Sequence, residues 1–182
     1  MKFYISDTHL GHRNIIKLCG RDKNFGFQSL AQMDETIIKN WNEAVGENDE
    51  VYIVGDLIYR GIEPENYLKQ LKGRKHLIRG NHDGFIKDRS LCKYFESIQD
   101  IKFVNDNGMQ VVLFHYPMAE WPNYYRDSVL LYGHIHNNPV EASEIMETLR
   151  KKGKKCYNVG ADVPYMGMTP RTLRHIMDAN AQ

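Results

Sequence analysis

Asp7 and His9 stand two residues apart, and His134 and His136 repeat that spacing. In extended chain such residues project from one face, so each pair can grip an ion. Asp56, Asn81 and His115 add a carboxylate, an amide oxygen and a further imidazole. Seven such donors are too many for one transition metal and suit two, provided one carboxylate is shared. Dications about 3.5–4 Å apart repel strongly, and a shared anion reduces the repulsion. Asp56, from a middle strand, is the natural bridge. Two dications against two carboxylates leave the site net positive, which invites an anion such as phosphate. A dinuclear site also lowers the pKa of bound water and stabilises phosphoryl oxygens during in-line displacement. Imidazole and oxygen donors without thiolate suit manganese, iron or zinc better than calcium. Manganese is the leading expectation, with iron, zinc or nickel as alternatives.

His82 lies between Asn81 and Asp83. Adjacent side chains diverge, so His82 is left free to protonate a departing alkoxide, with Asp83 orienting the ring and raising its pKa. Arg60 is expected to contact phosphate oxygens through its planar donor fork.

Short apolar runs must position these groups. Phe3-Tyr4-Ile5, Val51-Tyr52-Ile53-Val54, His76-Leu77-Ile78, Val111-Val112-Leu113-Phe114 and Val129-Leu130-Leu131-Tyr132 read as buried strands, with Cys156-Tyr157-Asn158-Val159 as a sixth. Each of the first five runs into a donor: Asp7 and His9, Asp56, Asn81, His115, then His134 and His136. Ligands of open α/β sheets bind outside the carboxyl ends of strands, so these groups can converge there. Ser29 can cap a helix whose apolar face is Leu30, Met33, Ile37, Trp41 and Ala44, with Gln32 closing a capping box and Gly46 past its end. Further helices are expected from Pro64 to near Gly73, over 140–152 and over 170–177. Asn107-Gly108 between two alternating runs predicts a β-hairpin. Parallel crossovers plus a hairpin place the chain in an α/β-type layered fold.

At 182 residues with no linker, repeat or low-complexity stretch, the chain reads as one domain spanning 1–182. No apolar run is long enough to span a membrane, and the apolar start is too short for a signal peptide. Cys19, Cys92 and Cys156 are odd in number and widely spaced, which indicates reduced structural cysteines and a cytoplasmic protein. The formal net charge of +1 leaves no overall basic footprint of the kind nucleic-acid binding needs. The run Arg150-Lys151-Lys152-Gly153-Lys154-Lys155 reads as a helix C-terminus with Gly153 as its stop, the alternative being contact with a phosphate-rich substrate.

Five blocks stand in order here: Asp7-x-His9, Gly55-Asp56-x-x-x-Arg60-Gly61, Gly80-Asn81-His82-Asp83, His115, and Gly133-His134-x-His136. In these the chain resembles the calcineurin-like metallophosphoesterase superfamily, and is most similar to its small bacterial and phage members without cap domains. The resemblance implies an α/β fold, the αββα four-layer sandwich of two mixed β-sheets flanked by helices. It implies that Asp7, His9, Asp56 and His136 hold one metal, that Asp56, Asn81, His115 and His134 hold the other, and that His82 acts near the leaving group. Tyr59 stands where many protein phosphatases of the superfamily have Asp, which weakens any analogy to them.

The expected activity is hydrolysis of a phosphate mono- or diester, a small molecule or nucleotide, by a hydroxide activated at two metals. Alternatives are a nuclease on single-stranded or structured nucleic acid, and a non-catalytic metal-binding scaffold. His76 and His175 read as ordinary structural histidines, and His12 as a surface residue, with a place lining the pocket as the alternative. Asp162 can approach the site from the last strand. The aromatic stretch 116–126 is open between a substrate wall, with Trp121 or Tyr124 stacking on a base, and a packed loop or homodimer contact.

Overall fold

The computed structural model describes residues 1–59 and 63–181. Two four-stranded sheets carry the site. The first has the order β1 (Lys2–Ile5), β2 (Glu50–Ile53), β3 (Arg74–Ile78) and β4 (Phe95–Gln99), parallel throughout. The second runs β5 (Ile101–Asp106), β6 (Met109–Phe114), β7 (Val129–Tyr132) and β8 (Cys156–Asn158), mixed because β5 and β6 are antiparallel. Among the described residues, antiparallel pairing in the first sheet is confined to a bridge between Tyr4 and Arg171. The hairpin turns at Asn107-Gly108, with φ of 51° and 86°, as a two-residue turn of matching twist requires.

Strand alternation produces the layering. Val111, Leu113, Val129 and Leu131 join Phe3, Ile5, Val51 and Ile53 in one core, whereas Val112, Leu130, Tyr132 and Cys156 face the other way and pack with Met146. Met146 belongs to α5 (Glu141–Lys151), so that helix covers the outer face of the second sheet. In the first core, α3 (Leu30–Ala44) buries Met33, Ile37 and Trp41 completely, each burial contributing roughly 1.5–3 kcal/mol. The result is the expected αββα sandwich. Ser29 Oγ caps α3 by accepting from the Gln32 amide at 3.2 Å. Gln32 Oε1 accepts from the Gln28 amide instead of closing the box on Ser29.

Two helices differ from expectation. The one starting at Pro64, α4 (Pro64–Leu68), ends five residues before Gly73. Asn42 and Trp41 of α3 donate to the carbonyls of Gln70 and Lys72 at 2.8 and 3.0 Å, holding that stretch outside the helix. The last helix, α6 (Leu173–Ala179), starts later than residue 170 because Arg171 is bridged to Tyr4 through N–H and carbonyl. The short helices α1 (Ile15–Leu18) and α2 (Arg21–Phe25) and the polar strand β4 had no counterpart in the sequence pattern. The two sheets meet where the Ser6 amide donates to Val159 O and the Ala161 amide to Ser6 O, both at 2.8 Å. The functional groups gather beside this seam.

Candidate metal centre

Asp7 and His9 follow β1, Asp56 follows β2, Asn81 follows β3, His115 follows β6, and His134 and His136 follow β7. All seven come together. Asp7 Oδ1 lies 3.9 Å from His9 Nε2 and 4.0 Å from His136 Nε2. Asn81 Oδ1 lies 3.1 Å from His115 Nε2 and 3.0 Å from His134 Nδ1. Between these groups, Asp56 Oδ2 stands 3.6 Å from His9 Nε2 and 3.4 Å from His115 Nε2.

The pairs do not converge by the pleat of an extended strand. Asp7, His9, Asp56, His134 and His136 have φ of 53°, 49°, 56°, 71° and 52°, the left-handed region that costs a non-glycine residue about 1–3 kcal/mol. His134 and His136 consequently face different neighbours, Asn81 and Asp7, and do not grip one point together. The glycines preceding the donors supply space: a Cβ on Gly80 would overlap the Asp56 carboxylate, and one on Gly133 would overlap Ser6 and Asp7.

The donor set fits divalent metal. Asp7 is fully buried and His9 is 2% exposed, yet Asp7 Oδ1 and both ring nitrogens of His9 have no hydrogen-bond partner. Buried polar atoms are rarely left so, because each forfeits its hydration uncompensated. Burial pushes the Asp7 carboxyl up and holds the His9 imidazole down to about 2, so His9 is neutral and presents one lone pair. Burial alone would lower His115, but the Asp56 and Asp7 carboxylates lift it to about 9. Burial would also raise Asp56, and the same His115 holds it at about 2. The pocket thus calls for positive charge. His115 Nδ1 lies 2.8 Å from the Val54 carbonyl, which leaves Nε2 facing the centre.

His82 is half-buried at the edge of this cluster, its amide donating to Asp56 Oδ1 at 2.8 Å and its ring 5.3 Å from that of His9. Asp83 does not orient it as expected. The Asp83 carboxylate is 3% exposed and accepts from the amides of Asp56, Leu57 and Gly80 at 2.9, 2.9 and 2.7 Å, so it fastens the two loops that deliver Asp56 and Asn81. Its own pKa is pushed up to about 6 by burial, against those three amides. His12 is likewise no surface residue: it is 9% exposed and stacks on Tyr59 at 3.6 Å, with His9 5.7 Å away. Arg60 lies outside the described residues.

Asp162 does approach the site, and Arg21, which the sequence pattern gave no reason to select, comes with it. Asp162 Oδ2 is 2.8 Å from His136 Nδ1 and accepts from Arg21 at 3.2 Å, both residues being fully buried. An arginine opening a short helix looks solvent-facing in sequence, and only the fold turns it inward. The aromatic stretch resolves as a packed loop around Trp121, which is 4% exposed, packs against Val112, Leu130 and Tyr132, and donates to Ser128 Oγ at 3.0 Å. Tyr116 alone reaches the centre, 4.6 Å from the His134 ring. His76 and His175 sit in ordinary structural hydrogen bonds, with Ser97 and the Tyr165 carbonyl. The basic run ends α5, Gly153 stopping it at φ 80°. Three of its four lysines are locally occupied: Lys151 on Glu147, Lys155 on Asp127 and Lys154 over the Tyr124 ring.

A model of the calcineurin-like phosphoesterase family matches residues 3–138, three-quarters of the chain and every donor described above. The chain belongs to that family. Membership makes it, at the level of class, a metal-binding hydrolase of phosphate esters. An uncharacterised protein of Methanocaldococcus jannaschii is 34% identical over 152 residues, covering 82% of this chain and 77% of that one. The gene 66 protein of Mycobacterium phage D29 is 24% identical over 168 residues, 78% of this chain and 81% of that one. The solved structure of a protein of unknown function from Aquifex aeolicus aligns with a TM-score of 0.73 at 28% identity over 98% of both chains. Among the described residues, no helix is long and apolar enough to cross a membrane.

Proposed function

We propose that this calcineurin-like phosphoesterase is dinuclear and hydrolyses phosphate mono- or diesters of a small molecule or nucleotide, with manganese its best-suited metal. The observation that carries this reading is the position of Asp56 Oδ2, within 3.6 Å of a nitrogen donor on each side. In this reading Asp7, His9 and His136 hold one ion, Asn81, His115 and His134 the other, and Asp56 is shared. When bound, two such ions supply Lewis-acid charge to phosphoryl oxygens and acidify water.

The chain's own residues do the rest. Asp56 orients His82 through the His82 amide, which keeps the imidazole at the rim beside His9. From there a ring nitrogen of His82 delivers a proton to the departing alkoxide. Arg60, next in the chain to Tyr59, binds phosphate oxygens through its guanidinium fork. His12 and Tyr59, stacked together, wall the same side and limit water there. Substrates smaller than a nucleic acid are favoured because Trp121 is engaged in the core and the basic run in local pairs.

The test is release of p-nitrophenol from the p-nitrophenyl monoester and bis-ester of phosphate, after chelator stripping and refilling with manganese. Activity that appears only with metal supports the reading, and the better substrate selects monoesterase or diesterase. No turnover of either by protein verified to hold two ions would overturn this substrate class.

A further inference from the structure

Arg21 is fully buried, and all of its hydrogen bonds to oxygen lead to the metal centre or its surroundings. Its Nη2 donates to the Asp7 carbonyl at 2.5 Å and its Nη1 to the Thr8 carbonyl at 2.9 Å, both in the loop that carries Asp7 and His9. Nε and Nη2 also reach Asp162 Oδ2, at 3.3 and 3.2 Å. Asp162 in turn holds His136 Nδ1 at 2.8 Å, on the opposite edge of the ring from the Nε2 that faces Asp7. One guanidinium therefore ties together two segments far apart in the chain, the Asp7–His9 loop and the loop after β7.

We infer that Arg21 and Asp162 are a positioning pair for one side of the centre, fixing the His136 ring and the Asp7–His9 loop so that the ion held there binds more tightly. This rests on the dinuclear reading above. An outer carboxylate that accepts from the far nitrogen of a ligand histidine fixes its tautomer and orientation and makes it a better donor, and losing such a partner typically weakens metal binding ~10–100-fold. The Asn81, His115 and His134 side has no such device: among the described residues, His115 leans on the backbone carbonyl of Val54 and His134 on the Asn81 amide. Cys19, His136 and Asp162 also lie close enough to suggest a third ion. The Arg21 guanidinium already supplies the positive charge at Asp162, so that cluster needs no ion. Asp162 falls beyond the residues 3–138 matched by the family model, whereas Arg21 lies within them.

The experiment compares manganese content, chelator-competition affinity and the electron paramagnetic resonance spectrum of the wild-type protein and Asp162→Asn. A double variant, Arg21→Met with Asp162→Leu, removes both buried charges together and guards against misfolding from an unpaired one. The expected result is two ions in the wild type, and in both variants one ion retained with the other ~10–100-fold weaker. The exchange-coupled manganese spectrum would then give way to that of an isolated ion. A loss of folding stability alone would not single out one ion. Two ions bound as tightly as in wild type, or both weakened alike, would overturn the inference. A wild-type protein that takes up only one ion would overturn the dinuclear reading; the pair is then judged on that ion, weaker binding in the variants supporting it and unchanged binding overturning it.

Discussion

On the Asp7–His9–His136 side of the centre, the donors are sunk in the seam between the sheets, and a buried guanidinium–carboxylate pair stands behind them. On the Asn81–His115–His134 side only His115 is fully buried; Asn81 is exposed and His134 half-buried. The supports differ in kind as well. The first side is tied by charged side chains from α2 and from beyond β8, the second by the Val54 carbonyl just past β2 and by Asp83 beneath the loops. The backbone follows this division only in part: Asp7, His9 and His136 all have positive φ, whereas on the other side His134 does and Asn81 and His115 do not. Strain of this kind persists only where surroundings over-determine it, and Arg21 on the Asp7 and Thr8 carbonyls is such a surrounding. The lesson is that one side is built as a rigid socket and the other as an accessible face.

The strongest way to erase this difference is Asp56→Asn, because Asp56 belongs to both sides. Metal analysis should find both ions weakened by more than the ~10–100-fold typical of an outer partner, and turnover should fall to background. Two tightly held ions in that variant would show that Asp56 is not shared.

His82→Ala leaves both sides in place and removes only the group at their rim. Metal content should be unchanged, while turnover slows by ~10²–10⁴-fold for esters with poor leaving groups and much less for p-nitrophenyl esters. Equal slowing for both classes of ester would rule out proton donation by this ring.

The donors of both sides were plain in the sequence. They follow apolar runs that are easy to recognise, and the fold class follows from strands alternating with helices. The packing behind the socket was not legible. Arg21 and Asp162 are 141 residues apart and meet only because β1 and β8 abut at the seam. The spacing of Asp7 and His9 suggested a shared strand face, yet the chain uses left-handed turns, which no residue type other than glycine announces. Asp83 was legible as a neighbour of the site but not as an acceptor for three amides, since those amides come from two separate loops.

Asp83→Asn probes the support of the accessible side. In the wild type, Oδ2 serves the Asp56 and Gly80 amides and Oδ1 serves Leu57; an Asn has one acceptor oxygen, so an amide group must face at least one N–H. Affinity for the ion near Asn81 should drop ~10–100-fold, with the socket ion less affected. The variant should also change the pH dependence of folding in the metal-free protein. Burial raises Asp83 from 3.8 to about 6 in the folded state, so between those pH values the folded chain holds a proton the unfolded chain has released. This group's contribution therefore declines as pH rises through that window and is least favourable above it. Denaturation across the window should show that component in wild type and lack it in Asp83→Asn; an identical slope would refute the assignment.

Trp121→Ala reaches the same side from farther away, and its effect on activity should be the smallest. Trp121 packs under β6 and β7, whose ends carry His115 and His134, but it does not touch either histidine's ring stack. Removing a buried indole from a close-packed cluster costs about 3–5 kcal/mol, so denaturant midpoints should fall clearly. Activity per folded molecule should nonetheless hold, for nucleotide and p-nitrophenyl substrates alike, because the strands beneath the histidines keep their parallel ladder. A selective rise in KM for nucleotides, without a matching loss of stability, would restore the loop as a stacking wall. It would also place substrate recognition on the accessible side.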